Sequence, residues 1–122
     1  MKITSFYPLI ATSDPESVMQ LFEELGFNRQ HTKTGISDMD LTGVVMKDPN
    51  GFHVEVTDGN FPGDRLIIRM NVDDLDEAVE LLTKRGFRKA KIFKETEETS
   101  SSKFCIMVSP SGFILDVIKH VH

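Results

Sequence analysis

The residues with the clearest chemistry are His53 and Glu55, in the stretch DPNGFHVEV at positions 48–56. On an extended strand, alternate side chains point to opposite faces. An imidazole and a carboxylate therefore share one face, and Phe52, Val54 and Val56 share the other, which should lie under a helix. Such a pair can help hold a divalent metal or simply line a wet pocket. The two residues are roughly 6–7 Å apart along the backbone, so their convergence depends on rotamers. A near-copy, SPSGFILDV at positions 109–117, puts Ile114 and Asp116 on one face against Phe113, Leu115 and Val117. In RLIIRMNV at 65–72 the same alternation sets Arg65, Ile67, Arg69 and Asn71 against Leu66, Ile68, Met70 and Val72. Inward arginines suit an anionic group of a substrate, or an ion pair with Glu55 or Asp116. Around Tyr7 the alternation is undecided. Cys105, in the alternating run KFCIMV, reads as a small packed hydrophobe and not as a nucleophile. His120 and His122 read as solvated tail.

These residues sit on a frame that is written twice. In SDPESVMQLFEELGF, Asp14 is a ready N-cap, Pro15 opens a helix, Val18, Leu21, Phe22 and Leu25 form an apolar stripe, and Gly26 stops it. In DDLDEAVELLTKRGF, Asp74 is the cap, Glu77 completes a capping box, Leu75, Ala78, Val79 and Leu82 form the stripe, and Gly86 ends it. The caps and the stop glycines recur at an offset of 60, and the turn glycines Gly51 and Gly112 at 61. Three ordered matches indicate duplication. Each half reads strand, helix and three strands, with strands near 2–11, 27–33, 39–47 and 52–57, then 65–72, 87–95, 103–109 and 113–119. A turn with proline second and glycine fourth joins the last two strands of each half. The first repeat is expected over 1–57, a linker over 58–64 and the second repeat over 65–119. The acidic, serine-rich run at 95–102 is expected to be a loop, either at a pocket mouth or without a role.

Composition narrows the classes. A chain of 122 residues fits one domain with its own core. One cysteine allows no internal disulfide, and with no convincing signal peptide and no long apolar run this points to a cytoplasmic protein without a membrane span. A net charge of −5 with scattered basic residues argues against nucleic acid. The same charge suits a cationic ligand or mere solubility.

The four fragments YPLIATSDPESVMQLFEELGF, MKDPNGFHVEV, MNVDDLDEAVELLTKRGF and VSPSGFILDV, in this order on a duplicated βαβββ frame, resemble the vicinal-oxygen-chelate superfamily. That group includes glyoxalase I, extradiol dioxygenases and bleomycin-resistance proteins. The resemblance implies an α+β fold in which two mixed four-stranded sheets form one open cup, with helices outside and the ligand inside. In metal-dependent members, each half supplies one ligand from its first strand and one from its last. Those positions here are Tyr7, Glu55, Ile67 and Asp116; isoleucine cannot bind a metal and neutral tyrosine is a poor ligand. The inherited site is therefore broken, although His53, Glu55 and Asp116 could rebuild one for Zn, Mn, Fe or Ni. Two readings stand. One is a small-molecule-binding protein with a degenerate metal site, its pocket lined by Tyr7, His53, Glu55, Ile67, Arg69, Ile114 and Asp116. The other is a metal-dependent lyase, isomerase or dioxygenase with Glu55 or Asp116 as general base. The resemblance, with Pro8 as the departure point of an exchanged first strand, further implies a homodimer.

Overall fold

The computed structural model describes residues 1–34, 42–59, 63–90, 97–98 and 102–120. Its chain falls into two compact units, one of residues Tyr7–Leu66 and one of Met1–Phe6 together with Ile67–His122.

The first unit takes most of β1 (Ile3–Thr12), then α1 (Pro15–Glu24), β2 (Asn28–Thr34), β3 (Thr42–Lys47) and β4 (His53–Asp58). Its strands run in the order β2-β3-β4-β1, antiparallel except for the parallel pairing of β1 with β4. The Asp14 carboxylate accepts from the Ser17 N–H at 3.4 Å and starts α1, while Gly26, at φ 106°, ends it in a conformation that favours glycine. Met19, with Val18 and Phe22, packs on Ile10, Val44, Met46, Val54 and Val56. Leu21 and Leu25, expected in the buried stripe, are instead 50% and 63% exposed. Met19 takes the buried centre, and Leu21, two positions on, lies about 200° around the helix from it. Outside this core, Arg29 of β2 donates to Glu16 at 2.7 Å and to Glu23 at 3.0 Å, tying the strand to α1. The Arg29 hydrogen bond holds the Glu16 carboxyl below its ordinary range, and the two carboxylates raise the guanidinium.

The second unit holds β5 (Arg65–Val72, from Ile67 on), α2 (Leu75–Lys84), β6 (Arg88–Lys89), β7 (Glu97–Glu98), β8 (Ser102–Val108) and β9 (Ile114–His120). The order is β5-β9-β8-β6, with β7 also on β8 and only β5 and β9 parallel. Leu75, Ala78 and Leu82, with Val79, pack α2 on Met70, Val72, Cys105, Met107, Leu115 and Val117. The expected stripe is the observed one, and Cys105 is a core residue. Asp74 accepts from the Glu77 N–H at 3.0 Å, while the Glu77 carboxylate takes the Met1 ammonium at 3.0 Å. Met1 and Lys2, just ahead of β1, join this unit through such contacts. The Lys2 N–H donates to the Asp73 carboxylate at 2.6 Å and the Asp73 N–H returns a bond to Lys2 O at 3.1 Å.

Of the strand expected at 87–95, Arg88–Lys89 is present; positions 91–96 lie outside the described residues. Glu97 and Glu98, expected in a loop, pair with Phe104 and Lys103 of β8. The remainder of the acidic run, apart from Ser102 in β8, lies outside the described residues, as do positions 60–62 of the expected linker.

Candidate functional site

Two matched turns aim the candidate carboxylates. Between β3 and β4, Asp48 Oδ1 accepts from the N–H groups of Asn50 and Phe52 at 3.1 and 2.8 Å, and Gly51 closes the turn at φ 91°. Between β8 and β9, Ser109 Oγ does the same work for Gly112 and Phe113 at 2.9 and 3.0 Å, with Gly112 at φ 109°. Side-chain acceptors of this kind fix the backbone of a tight turn and hence the register of the strand that follows. Glu55 and Asp116 each stand four residues beyond their turn glycine. Phe52 and Phe113, expected under the helices, sit at the strand mouths, 67% and 51% exposed. Phe113 there meets Phe87 edge-on at 5.6 Å.

In the first unit, Val54 and Val56 face α1, so the alternation turns His53, Glu55 and Thr57 to the sheet face without a helix. Ile10 also packs under α1, which settles the orientation of β1: Tyr7, Leu9 and Ala11 share the helix-free face. Glu55 is fully buried. Tyr7 donates its phenol to Glu55 Oε1 at 3.4 Å, and Thr57 donates its hydroxyl to Oε2 at 3.3 Å. The His53 ring, half-buried, lies 5.7 Å from the Tyr7 ring at a tilt of 34°. A buried carboxylate, two hydroxyl donors and an imidazole therefore share one patch. Thr57 was not singled out as a site residue from sequence; the signal was its place two positions beyond Glu55 on the same face.

In the second unit, Ile68, Met70 and Val72 pack toward α2, leaving Ile67, Arg69 and Asn71 on the opposite face. Parallel pairing sets Ile67 beside Ile114 and Arg69 beside Asp116. Arg69 Nε lies 3.5 Å from Asp116 Oδ2, with both residues buried. Asn71 donates its amide to the hydroxyl of Ser5 on β1. Arg65, expected among the inward residues, is exposed at the start of β5.

The donor atoms do not fit a four-ligand metal centre. Ile67, 1% exposed, offers no donor at a ligand position that the family resemblance implies. Among the described residues of each unit, no three of His, Cys, Asp and Glu group so as to hold a metal ion. No helix among the described residues is long and apolar enough to cross a membrane.

No protein-family model matches the chain, and no curated protein matches it in sequence. Solved structures do match its fold. Methylmalonyl-CoA epimerase from Mycobacterium tuberculosis aligns with a TM-score of 0.71 at 15% identity, over 98% of this chain and 90% of that one. A glyoxalase/bleomycin resistance protein/dioxygenase superfamily member from Vibrio splendidus 12B01 aligns with a TM-score of 0.66 at 16% identity, over 98% and 100%. A V278E mutant of glyoxalase I from Zea mays gives 0.70 at 13% identity, over 97% of this chain but 43% of that one. The chain has the α+β glyoxalase/bleomycin-resistance fold.

Proposed function

We propose that the protein is a cytosolic small-molecule binder that uses the helix-free sheet faces without the superfamily's four-ligand metal centre. One observation carries the reading: the fully buried Glu55 carboxylate is held by Tyr7 and Thr57. Buried ionic groups contribute little net stability compared with apolar residues of the same volume. A carboxylate kept there, on a fold whose ligand positions include it, is better explained by recognition than by folding. Asp116 with Arg69 is the counterpart in the second unit. In this reading Tyr7, His53, Ile67, Arg69 and Ile114 line the ligand surfaces, and Glu55 and Asp116 supply their acceptors. Pro8, an exposed proline inside β1, supports a homodimer, which sedimentation at micromolar concentration tests; a monomer there removes that part of the reading.

The test uses tag-free protein purified without chelator or nickel resin, with methylmalonyl-CoA and bleomycin as an anionic and a cationic probe. One of them should raise the thermal midpoint, with no added metal, and Glu55→Gln or Asp116→Asn should abolish the rise. Zn, Mn, Fe or Ni near one per chain, lost in Glu55→Ala, would instead establish the metal-dependent lyase, isomerase or dioxygenase reading. No response to either probe, in metal-free protein, would remove the support for these two ligand classes.

A further inference from the structure

A second polar feature of the helix-free face lies beyond the carboxylates. Asn71 is on β5, two residues past Arg69 on the same face, and is 7% exposed. Its Nδ2 donates to Ser5 Oγ, which leaves the carbonyl end of the amide turned away from Ser5. Among the described residues, Asn71 Oδ1 is buried and has no hydrogen-bond partner. A buried carbonyl without a donor costs roughly 1–3 kcal/mol, so such groups in folded proteins are met by water or by a ligand. The charges next along the strand, Arg69 and Asp116, face each other across the pairing with β9. Ile118, the strand partner of Asn71, is apolar and buried. Asn71 Oδ1 is therefore a neutral acceptor beside the aliphatic Ile118, with half-buried Ser5 as its more exposed shoulder.

We propose that Asn71 is a ligand-reading residue whose Oδ1 accepts a hydrogen bond from the N–H or O–H of a small neutral molecule with a short apolar body. A primary carboxamide has this chemistry. Ser5 acts as a positioning residue: by accepting from Nδ2 it fixes which end of the amide is presented. The proposal rests on the reading that the helix-free faces bind small molecules, and it names what the second unit's face selects.

The experiment is a nuclear magnetic resonance titration of asparagine-¹⁵N-labelled full chain with propionamide and, separately, N,N-dimethylpropionamide, which lacks the N–H donor. The Asn71 side-chain signals are assigned by their loss in Asn71→Asp. With propionamide they should shift along a saturating curve in the millimolar range. The dimethyl compound should bind roughly tenfold more weakly, the loss expected for one hydrogen bond. Asn71→Asp keeps an acceptor and should retain the preference, followed at the Ser5 backbone amide in uniformly ¹⁵N-labelled protein; Asn71→Leu, labelled in the same way, should lose it. Equal shifts from both compounds would overturn the proposal. So would no shift from either, the outcome if a buried water meets Asn71 Oδ1. A preference for propionamide at Asn71 with no response to methylmalonyl-CoA or bleomycin would leave this inference standing while those probes fail. A response to either probe that depends on Glu55 but leaves Asn71 unmoved by propionamide would do the reverse.

Discussion

Arg69 and Asp116 face each other across a parallel strand pair, Nε to Oδ2 at 3.5 Å, and both are nearly out of solvent. Removing one partner takes this contact away from the other's buried charge, whereas removing both takes the two charges out together. Asp116→Leu or Arg69→Met alone should each lower unfolding free energy by about 3–5 kcal/mol, and the double variant should recover most of it. Urea denaturation of the four proteins gives the coupling directly; additive losses would show that the pair is not a unit.

Tyr7 and Thr57 hold opposite oxygens of one buried carboxylate. Tyr7→Phe and Thr57→Val each remove one hydroxyl with little change of shape, and each should cost roughly 0.5–1.5 kcal/mol. Because both act on Glu55, the double variant should depart from the sum of the singles. Chemical denaturation measures all three. Strict additivity would mean that the hydroxyls do not act through Glu55.

The buried face of α1 is centred on Met19, with Leu21 and Leu25 on the exposed side. Met19→Ala should cost about 2–5 kcal/mol. Leu21→Gln and Leu25→Lys should stay within about 0.5 kcal/mol of the parent. A large loss from either leucine variant would restore the stripe expected from spacing.

Gly26 and Gly86 close the two helices at φ 106° and 90°, but their surroundings differ. A Cβ on Gly26 meets nothing within 4 Å, whereas one on Gly86 comes within 3.0 Å of Pro110 Cγ. Gly26→Ala should carry only the left-handed backbone cost of roughly 1–2 kcal/mol, and Gly86→Ala should cost more. Thermal unfolding ranks them; equal losses would mean that the proline moves aside freely.

The ties from Arg29 to Glu16 and Glu23 are exposed and should respond to acid and salt. Glu16 has its carboxyl lowered in the folded chain by the Arg29 hydrogen bond. A lowered carboxyl contributes stability that is present above its unfolded value, near 4.5, and is lost as pH falls through the folded value. Parent and Arg29→Gln should therefore differ slightly at neutral pH and converge as pH falls through the lowered folded value. A gap that persists unchanged in acid would assign the arginine's effect to packing.

The frame was legible because it depends on local chemistry. Asp14, Asp74, Gly26 and Gly86 mark helix ends through groups within a few residues, and each does so in the structure. The faces of β4, β5 and β9 followed from strict alternation. Leu21 and Leu25 misled because spacing gives a helical face but does not say which of two overlapping stripes meets the sheet. Phe52 and Phe113 misled for a related reason: alternation assigns a side, not how far along the strand the helix reaches. Of the site, Tyr7, His53 and Glu55 come together as one patch, and Arg69 reaches Asp116. The tyrosine's orientation required packing of Ile10 under α1, which no motif in β1 announces. The Ser5 bond to Asn71 joins positions 66 residues apart, beyond any local pattern.

The sequence repeats at an offset of 60, yet Met1–Phe6 pack with the unit built from Ile67–His122. The border of the sequence repeat and the border between the compact units thus fall in different places. A gene fragment cut at the repeat boundary would give the later half without the segment that bonds Asp73 and Asn71. The earlier half would carry that segment with nothing native to hold. The later half thus draws on six residues, Met1–Phe6, that the repeat assigns to the earlier one.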